Sequence, residues 1–200
     1  MFKLSTQPSD KSNPMADDDE SSSVETVGSR IFFYSEVSKE SVLNLNKQLR
    51  TLAVKLSDVG HQYEIQTPPI KLHINSPGGS LLDCFAAVDY VKSSIVPIHS
   101  IVEGSAASAA TIISVVAKKR MMYKNSFMLI HQLSTGMWGK YEEIVDDYQN
   151  ATVLMARIKE IYGAHTKIPS NVLKDMLKRD LWFDSKTCLK YGLVDEVIGA

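Results

Sequence analysis

Two hydrophobic periods alternate along this chain, and that alternation limits its fold more than any other feature. From Ile31 onward, short β-type apolar runs are followed by stretches whose apolar residues recur at helical spacing. Ile31-Phe32-Phe33-Tyr34 is a β-type run. Ser38 can cap a helix over 39–56, with Val42, Leu45, Leu49, Leu52 and Leu56 on one stripe. The 58–69 segment, ending in Pro68-Pro69, reads as a loop. Ile70-Lys71-Leu72-His73-Ile74-Asn75 alternates as a half-buried strand does. The turn Ser76-Pro77-Gly78-Gly79-Ser80 then leads into a helix from Leu81, with Phe85, Val88 and Val91 on the same face.

The second half repeats the alternation. Residues 96–102 predict a strand, and Gly104 opens a small-residue helix over 105–117. Two short strands, 120–123 and 127–131, flank a turn at Lys124-Asn125-Ser126. A glycine-containing loop over 134–140 precedes a long helix over 141–162. Ser170 caps a short helix to Lys178, a helical turn covers 185–190, Gly192 stops it, and 193–198 is a last strand. Strands alternating with helices predict an α/β class with a mostly parallel sheet.

Residues 1–29 stand apart. They are rich in Ser, Asp, Pro and Thr, with the acidic run Asp17-Asp18-Asp19-Glu20, and bury too little apolar surface to offset their ordering entropy. They read as a disordered tail before one domain over 30–200. Hydrophobic residues are 44% of the 200, enough for a core without disulfide staples. The net charge of -1 supplies no global basic field for nucleic acid. Cys84 and Cys188 lie far apart in apolar stretches, which argues against a disulfide framework and for a reducing compartment. There is no 18-residue apolar run to span a membrane and no signal-peptide core near the start. A soluble, cytoplasmic protein is expected.

Three places combine backbone geometry with reactive side chains, each where a strand ends. Gly78-Gly79 can present backbone N–H groups to a developing oxyanion with no side chain in the way. In Gly104-Ser105-Ala106-Ala107-Ser108-Ala109-Ala110, small neighbours open a serine to a substrate backbone, and nothing local decides between Ser105 and Ser108. His131 ends an apolar strand and could serve as a base. A serine hydrolase also needs an acid to orient that base; Asp146, Asp147, Asp175, Asp180 and Asp184 all remain open. The histidines and cysteines have no metal-ligand spacing, and both the ATP-type phosphate loop and the dinucleotide fingerprint are absent.

From about Ile31 to Ile198 the chain resembles the proteolytic subunit of the Clp protease family. The matching stretches are Ile74-Asn75-Ser76-Pro77-Gly78-Gly79, Gly104 to Ala109, Lys119-Arg120, Asn125-Ser126, Leu129-Ile130-His131-Gln132, Arg179-Asp180 and Lys190 to Asp195. They occur in the family's order and at near-family spacing. The resemblance implies Ser108 as nucleophile, His131 as general base, Asp180 as the acid that orients it, and the backbone N–H groups of Gly79 and Ala109 as the oxyanion hole. It implies a spiral of β-β-α units shared with crotonases, with a handle helix after the 134–140 loop. It also implies a seven-membered ring, stacked in pairs as a tetradecamer, that degrades unfolded polypeptides fed by a Clp-type AAA+ unfoldase ATPase. That partner would use the ATP, with no cofactor or metal bound by this chain.

The match has departures. Leu133 stands where the family has proline, and Lys71 and His73 stand where many members carry aromatics that help receive the ATPase. Lys178 replaces an acid near Arg179, and 58–69 is longer than usual. The alternative function is a catalytically silent ring subunit paired with an active paralogue. Such compact divergent members also occur in organelles and in phage-infected hosts.

Overall fold

A computed structural model describes residues 24–199. A hairpin comes first: β1 (Val24–Val27) runs antiparallel to β2 (Arg30–Phe33). The chain continues through α1 (Lys39–Gln62), β3 (Ile70–Ser76), α2 (Leu81–Ser93), β4 (Ile98–Ala107) and α3 (Ala109–Val115). It then runs through β5 (Lys119–Tyr123), β6 (Phe127–Leu129), α4 (Tyr141–His165), α5 (Ser170–Met176), β7 (Trp182–Phe183), α6 (Ser185–Lys190) and β8 (Glu196–Ile198).

The sheet order is β1-β2-β3-β4-β5-β8, parallel from β2 onward. β4 is long enough to serve two partners on the same side: residues 99–102 pair with β5, and residues 105–107 pair with β6. β7 adds to β6 in antiparallel register. This mixed α/β domain carries the parallel pairing that the alternating periods require.

One face of the sheet packs under helices. Its residues Ile31, Phe33, Ile70, Leu72, Ile74, Ile98 and Val102 are at most 2% exposed. The stripe Val42, Leu45, Leu49, Leu52 and Leu56 of α1 joins them in one buried cluster, each buried leucine contributing about 1.5–3 kcal/mol. Ser38 caps α1 as expected, and the cap is reciprocal: Ser41 N–H donates to Ser38 Oγ at 3.2 Å, and Ser38 N–H donates to Ser41 Oγ at 3.0 Å.

Several boundaries differ from the sequence reading. α1 runs six residues past 56, since no proline intervenes before Pro68, so five of the twelve residues of the expected 58–69 loop are helical. Residues 24–29 are not tail: Val24 is buried, and β1 gains a full ladder on β2. The rest of the tail, residues 1–23, lies outside the described residues. The helix expected over 105–117 begins at Ala109, because the small residues 105–107 fit between β3 and β6 as strand.

α4 has 25 residues, roughly 37 Å at 1.5 Å per residue. Its buried residues are Ile158, Ile161 and Tyr162, all near its C-terminal end. Earlier in α4, Tyr141, Tyr148 and Val153 are exposed, as is Trp138 just ahead of it at 97%. No helix among the described residues is long and apolar enough to cross a membrane.

Candidate active site

Three parallel strands deliver the candidate residues at their carboxyl ends, where ligands of open α/β sheets bind. β4 ends at Ala107, paired with Leu129 of β6. Ser108 N–H still donates to the Leu129 carbonyl at 2.8 Å, and the chain then turns into α3. Ser108 sits in that turn at φ 53°, a left-handed conformation that a serine adopts at a cost of order 1–3 kcal/mol. The strain lifts Ser108 out of the strand-helix junction, as a nucleophile elbow does. Ser105 is a β4 residue with its Oγ 3.5 Å from Asn75 Oδ1, and it does not line the cavity around Ser108.

The Gly78-Gly79 turn packs against this elbow from the end of β3. A Cβ on Gly78 would stand 2.6 Å from the Ala107 carbonyl oxygen and 2.7 Å from Ser108 Cβ, so only glycine fits at this φ of 92°. Gly79, at φ 144°, is held from the other side by Val37. Val37 N–H donates to the Gly78 carbonyl at 2.7 Å, and Ser80 N–H donates to the Val37 carbonyl at 2.7 Å. Neither bond uses the Gly79 N–H. The Ala109 N–H is the first of α3, among the donors that an α-helix cannot satisfy internally.

His131 follows β6 by two residues. Continuing the antiparallel β6–β7 register, where Leu129 pairs Trp182, sets His131 opposite Asp180. Gln132 N–H donates to the Leu177 carbonyl at 2.7 Å and ties this segment to the end of α5. His131 Nδ1 stands 3.7 Å from Asp180 Oδ1, beyond hydrogen-bond range, and the Asp180 side chain is 81% exposed. Ser108 Oγ has no hydrogen-bond partner among the described residues.

The five expected residues therefore converge, with Asp180 at the rim. Gly79, Ser108, Ala109 and His131 line a cavity of about 200 Å³ whose other walls include Leu81, Ile112, Leu133, Ile158 and Tyr162. Asp146 and Asp147 ride on the exposed part of α4, Asp175 pairs with Lys178, and Asp184 caps α6. The Asp184 cap, donated by Thr187, holds that carboxyl below its usual range.

Sequence reasoning missed a buried support beneath the elbow. Tyr162 O–H lies 2.5 Å from Thr111 Oγ1, which donates to the Ser108 carbonyl at 2.6 Å. Burial pushes the Tyr162 phenol up, keeping it neutral and a donor. The Val37 bridge was missed too. Neither residue carries a local signal, because each acts through a contact distant in sequence.

Comparison with known proteins agrees with this architecture. The model of the family described as Clp protease matches residues 20–200. The "ATP-dependent Clp protease proteolytic subunit 1" of Chlamydia pneumoniae is 30% identical over 173 residues, 84% of this chain and 86% of that protein. A Chlamydia caviae protein of the same name is likewise 30% identical over 173 residues, with the same coverage. The "ATP-dependent Clp protease proteolytic subunit" of Deinococcus radiodurans is 31% identical over 131 residues, 64% of each chain.

Proposed function

This chain belongs to the Clp protease family, and we propose that it cleaves peptide bonds with Ser108 as nucleophile, His131 as general base and Asp180 as the orienting acid. The observation that carries this reading is the meeting of Gly79, Ser108 and His131 at one cavity, with the β6–β7 register setting Asp180 opposite His131.

In the proposed reaction Ser108 Oγ attacks the scissile carbonyl carbon while His131 accepts the Oγ proton. The carbonyl oxygen becomes an oxyanion that accepts hydrogen bonds from the Gly79 and Ala109 N–H groups. Losing one such donor typically costs about 10²–10³ in kcat. His131 then gives its proton to the leaving amine. A water, deprotonated by His131, attacks the acyl-enzyme and frees the acid and Ser108. Apart from that water, every group the reaction requires is a protein group, so it asks for no cofactor on this chain. The apolar cavity wall from Ile112, Leu133 and Ile158 suits an apolar substrate side chain beside the scissile bond.

The 3.7 Å between His131 and Asp180 is too long for a working triad, and assembly is proposed to close it. The uncovered apolar residues of α4 and Trp138 support a self-association surface, compatible with a heptameric ring stacked as a tetradecamer. Within that scheme a Clp-type AAA+ ATPase delivers unfolded chain and consumes the ATP, and the work is done in the cytoplasm. The second reading, a silent ring subunit beside an active paralogue, is favoured by the same 3.7 Å gap.

A fluorophosphonate, which reacts with activated serines, separates the two. The expected result is one adduct, mapped to Ser108 and absent from Ser108→Ala. An assembled wild-type ring that takes no adduct, even with a Clp-type ATPase present, refutes the peptidase reading and leaves the silent one.

A further inference from the structure

The segment that follows β6 carries the proposed base, and two backbone donors fix it from outside. Gln132 N–H donates to the Leu177 carbonyl at the end of α5, at 2.7 Å. Leu133 N–H donates to Met155 Sδ of α4, at 3.1 Å. Position 133 can donate at all because it is a leucine, since the proline that the family carries there has no N–H. A thioether is a weak acceptor. It is nonetheless the one acceptor that the Leu133 N–H has among the described residues. Leu133 and Met155 are both partly buried against the core, so the bond lies within packed structure.

Met155 stands on the same stripe of α4 as Ile158 and Tyr162, which follow it by three and seven residues. Seven residues are about two helical turns, roughly 10 Å along the axis. At one end of that span Tyr162 reaches Thr111 and, through it, the Ser108 carbonyl. At the other end Met155 holds the Leu133 N–H, two residues from His131. Ile158, between them, lines the cavity that Ser108 and His131 share. One helix therefore grips both sides of the site, the nucleophile at one point and the base at another.

On the peptidase reading, proton transfer needs His131 within hydrogen-bond reach of Ser108 Oγ, about 2.6–3.2 Å. We propose that Met155 is a positioning residue for His131: its thioether, acting through the Leu133 N–H, ties the base to the helix that also holds Ser108. Met155 touches neither the substrate nor the reacting atoms. Its part is to set where the imidazole stands, and a misplacement of about 1 Å in such a setting can cost on the order of 10²-fold in rate. The Gln132 bond to Leu177 limits the movement, so the loss expected without Met155 is smaller, about ten-fold.

The test compares the full-length wild type with Met155→Leu, in which an apolar side chain of similar volume fills the same place and only the acceptor is lost. Hydrogen exchange of the Gln132 and Leu133 amides is expected to quicken about ten-fold or more, because one of the two bonds holding the segment is gone. The second-order rate of Ser108 labelling by a fluorophosphonate is expected to fall about ten-fold. The same substitution is then made in a Leu133→Pro background, which has no N–H for Met155 to hold. There it should change neither the exchange of the Gln132 amide nor the labelling rate relative to Leu133→Pro alone. Equal losses in both backgrounds make Met155 a packing residue and overturn the proposal. Quickened exchange with unchanged labelling overturns it too, since the bond then holds the segment without placing His131. Unchanged exchange beside a labelled wild type overturns this proposal alone, whereas a wild type that takes no label overturns the peptidase reading and this proposal with it.

Discussion

Replacing Thr111 with valine tests whether the elbow under Ser108 is held by a directed hydrogen-bond chain. Thr111 Oγ1 donates to the Ser108 carbonyl, so it must accept from the Tyr162 hydroxyl, and both side chains are at most 1% exposed. Thr111→Val keeps the side-chain shape but leaves the Tyr162 O–H buried with no acceptor, a cost of about 1–3 kcal/mol. The Ser108 carbonyl keeps its bond from Thr111 N–H at 3.0 Å and adds little to that cost. Tyr162→Phe removes the donor instead, leaves the Thr111–Ser108 bond in place, and should cost about 0.5–1.5 kcal/mol. The double variant leaves no stranded donor and should be no less stable than Thr111→Val alone. Denaturant unfolding of the four proteins measures this, and Thr111→Val should lower Tm by roughly 2–12 °C. Fluorophosphonate labelling of Ser108 should slow with it, since α4 then grips the elbow less firmly. Additive costs in the double variant, or a larger loss for Tyr162→Phe than for Thr111→Val, would refute the directed chain.

Further outcomes follow from the same contacts. Gly78→Ala puts a methyl 2.6 Å from the Ala107 carbonyl oxygen at a positive φ, a conformational cost alone of about 1–2 kcal/mol. Ser108 labelling should fall at least about ten-fold while circular dichroism stays native, and unchanged labelling refutes the packing argument. Asp195 is held below the usual carboxylate range, first by its side-chain bonds to Arg120. A depressed pKa gives stability that is present above the unfolded value, about 3.9, and lost as pH falls through the folded one. Asp195→Asn should therefore flatten the acid limb of the stability curve. At 38% exposure of the Asp195 side chain the effect is about 1 kcal/mol or less, and an unchanged acid limb counts against the pair. Burial pushes the Cys84 thiol up and raises that of Cys188 to about 12, so an aromatic disulfide reagent should modify neither until the protein unfolds. Rapid modification of the native protein is the contrary result.

Much of the fold was legible because its causes are local. The stripe of α1, its Ser38 cap and the alternation of β3 are written within a few residues of one another, and each appears where those residues require it. The glycine pair was legible for the same reason: it marks a turn that a side chain would block. The resemblance of ordered motifs to one family supplied the proposed catalytic set, which no local pattern could choose. Boundaries were harder. Residues 105–107 are as suitable for a helix as for a strand, and only their neighbours on β3 and β6 make them strand.

By itself the sequence determined which segments alternate as strand and helix, where the turn glycines stand, and which hydroxyl, imidazole and carboxyl groups were available. Tertiary structure decided which of them meet. Ser108 rather than Ser105 reaches the cavity because β4 ends one residue before it. Asp180 rather than four other aspartates faces His131 because β7 pairs with β6 in one register. Arg30, Lys71, His99 and Lys119 look like scattered surface charges along the chain, yet three strand pairings align them in one row. Strand register joins residues tens of positions apart, and the buried face enforces it, since a slip of one residue would turn the apolar core outward.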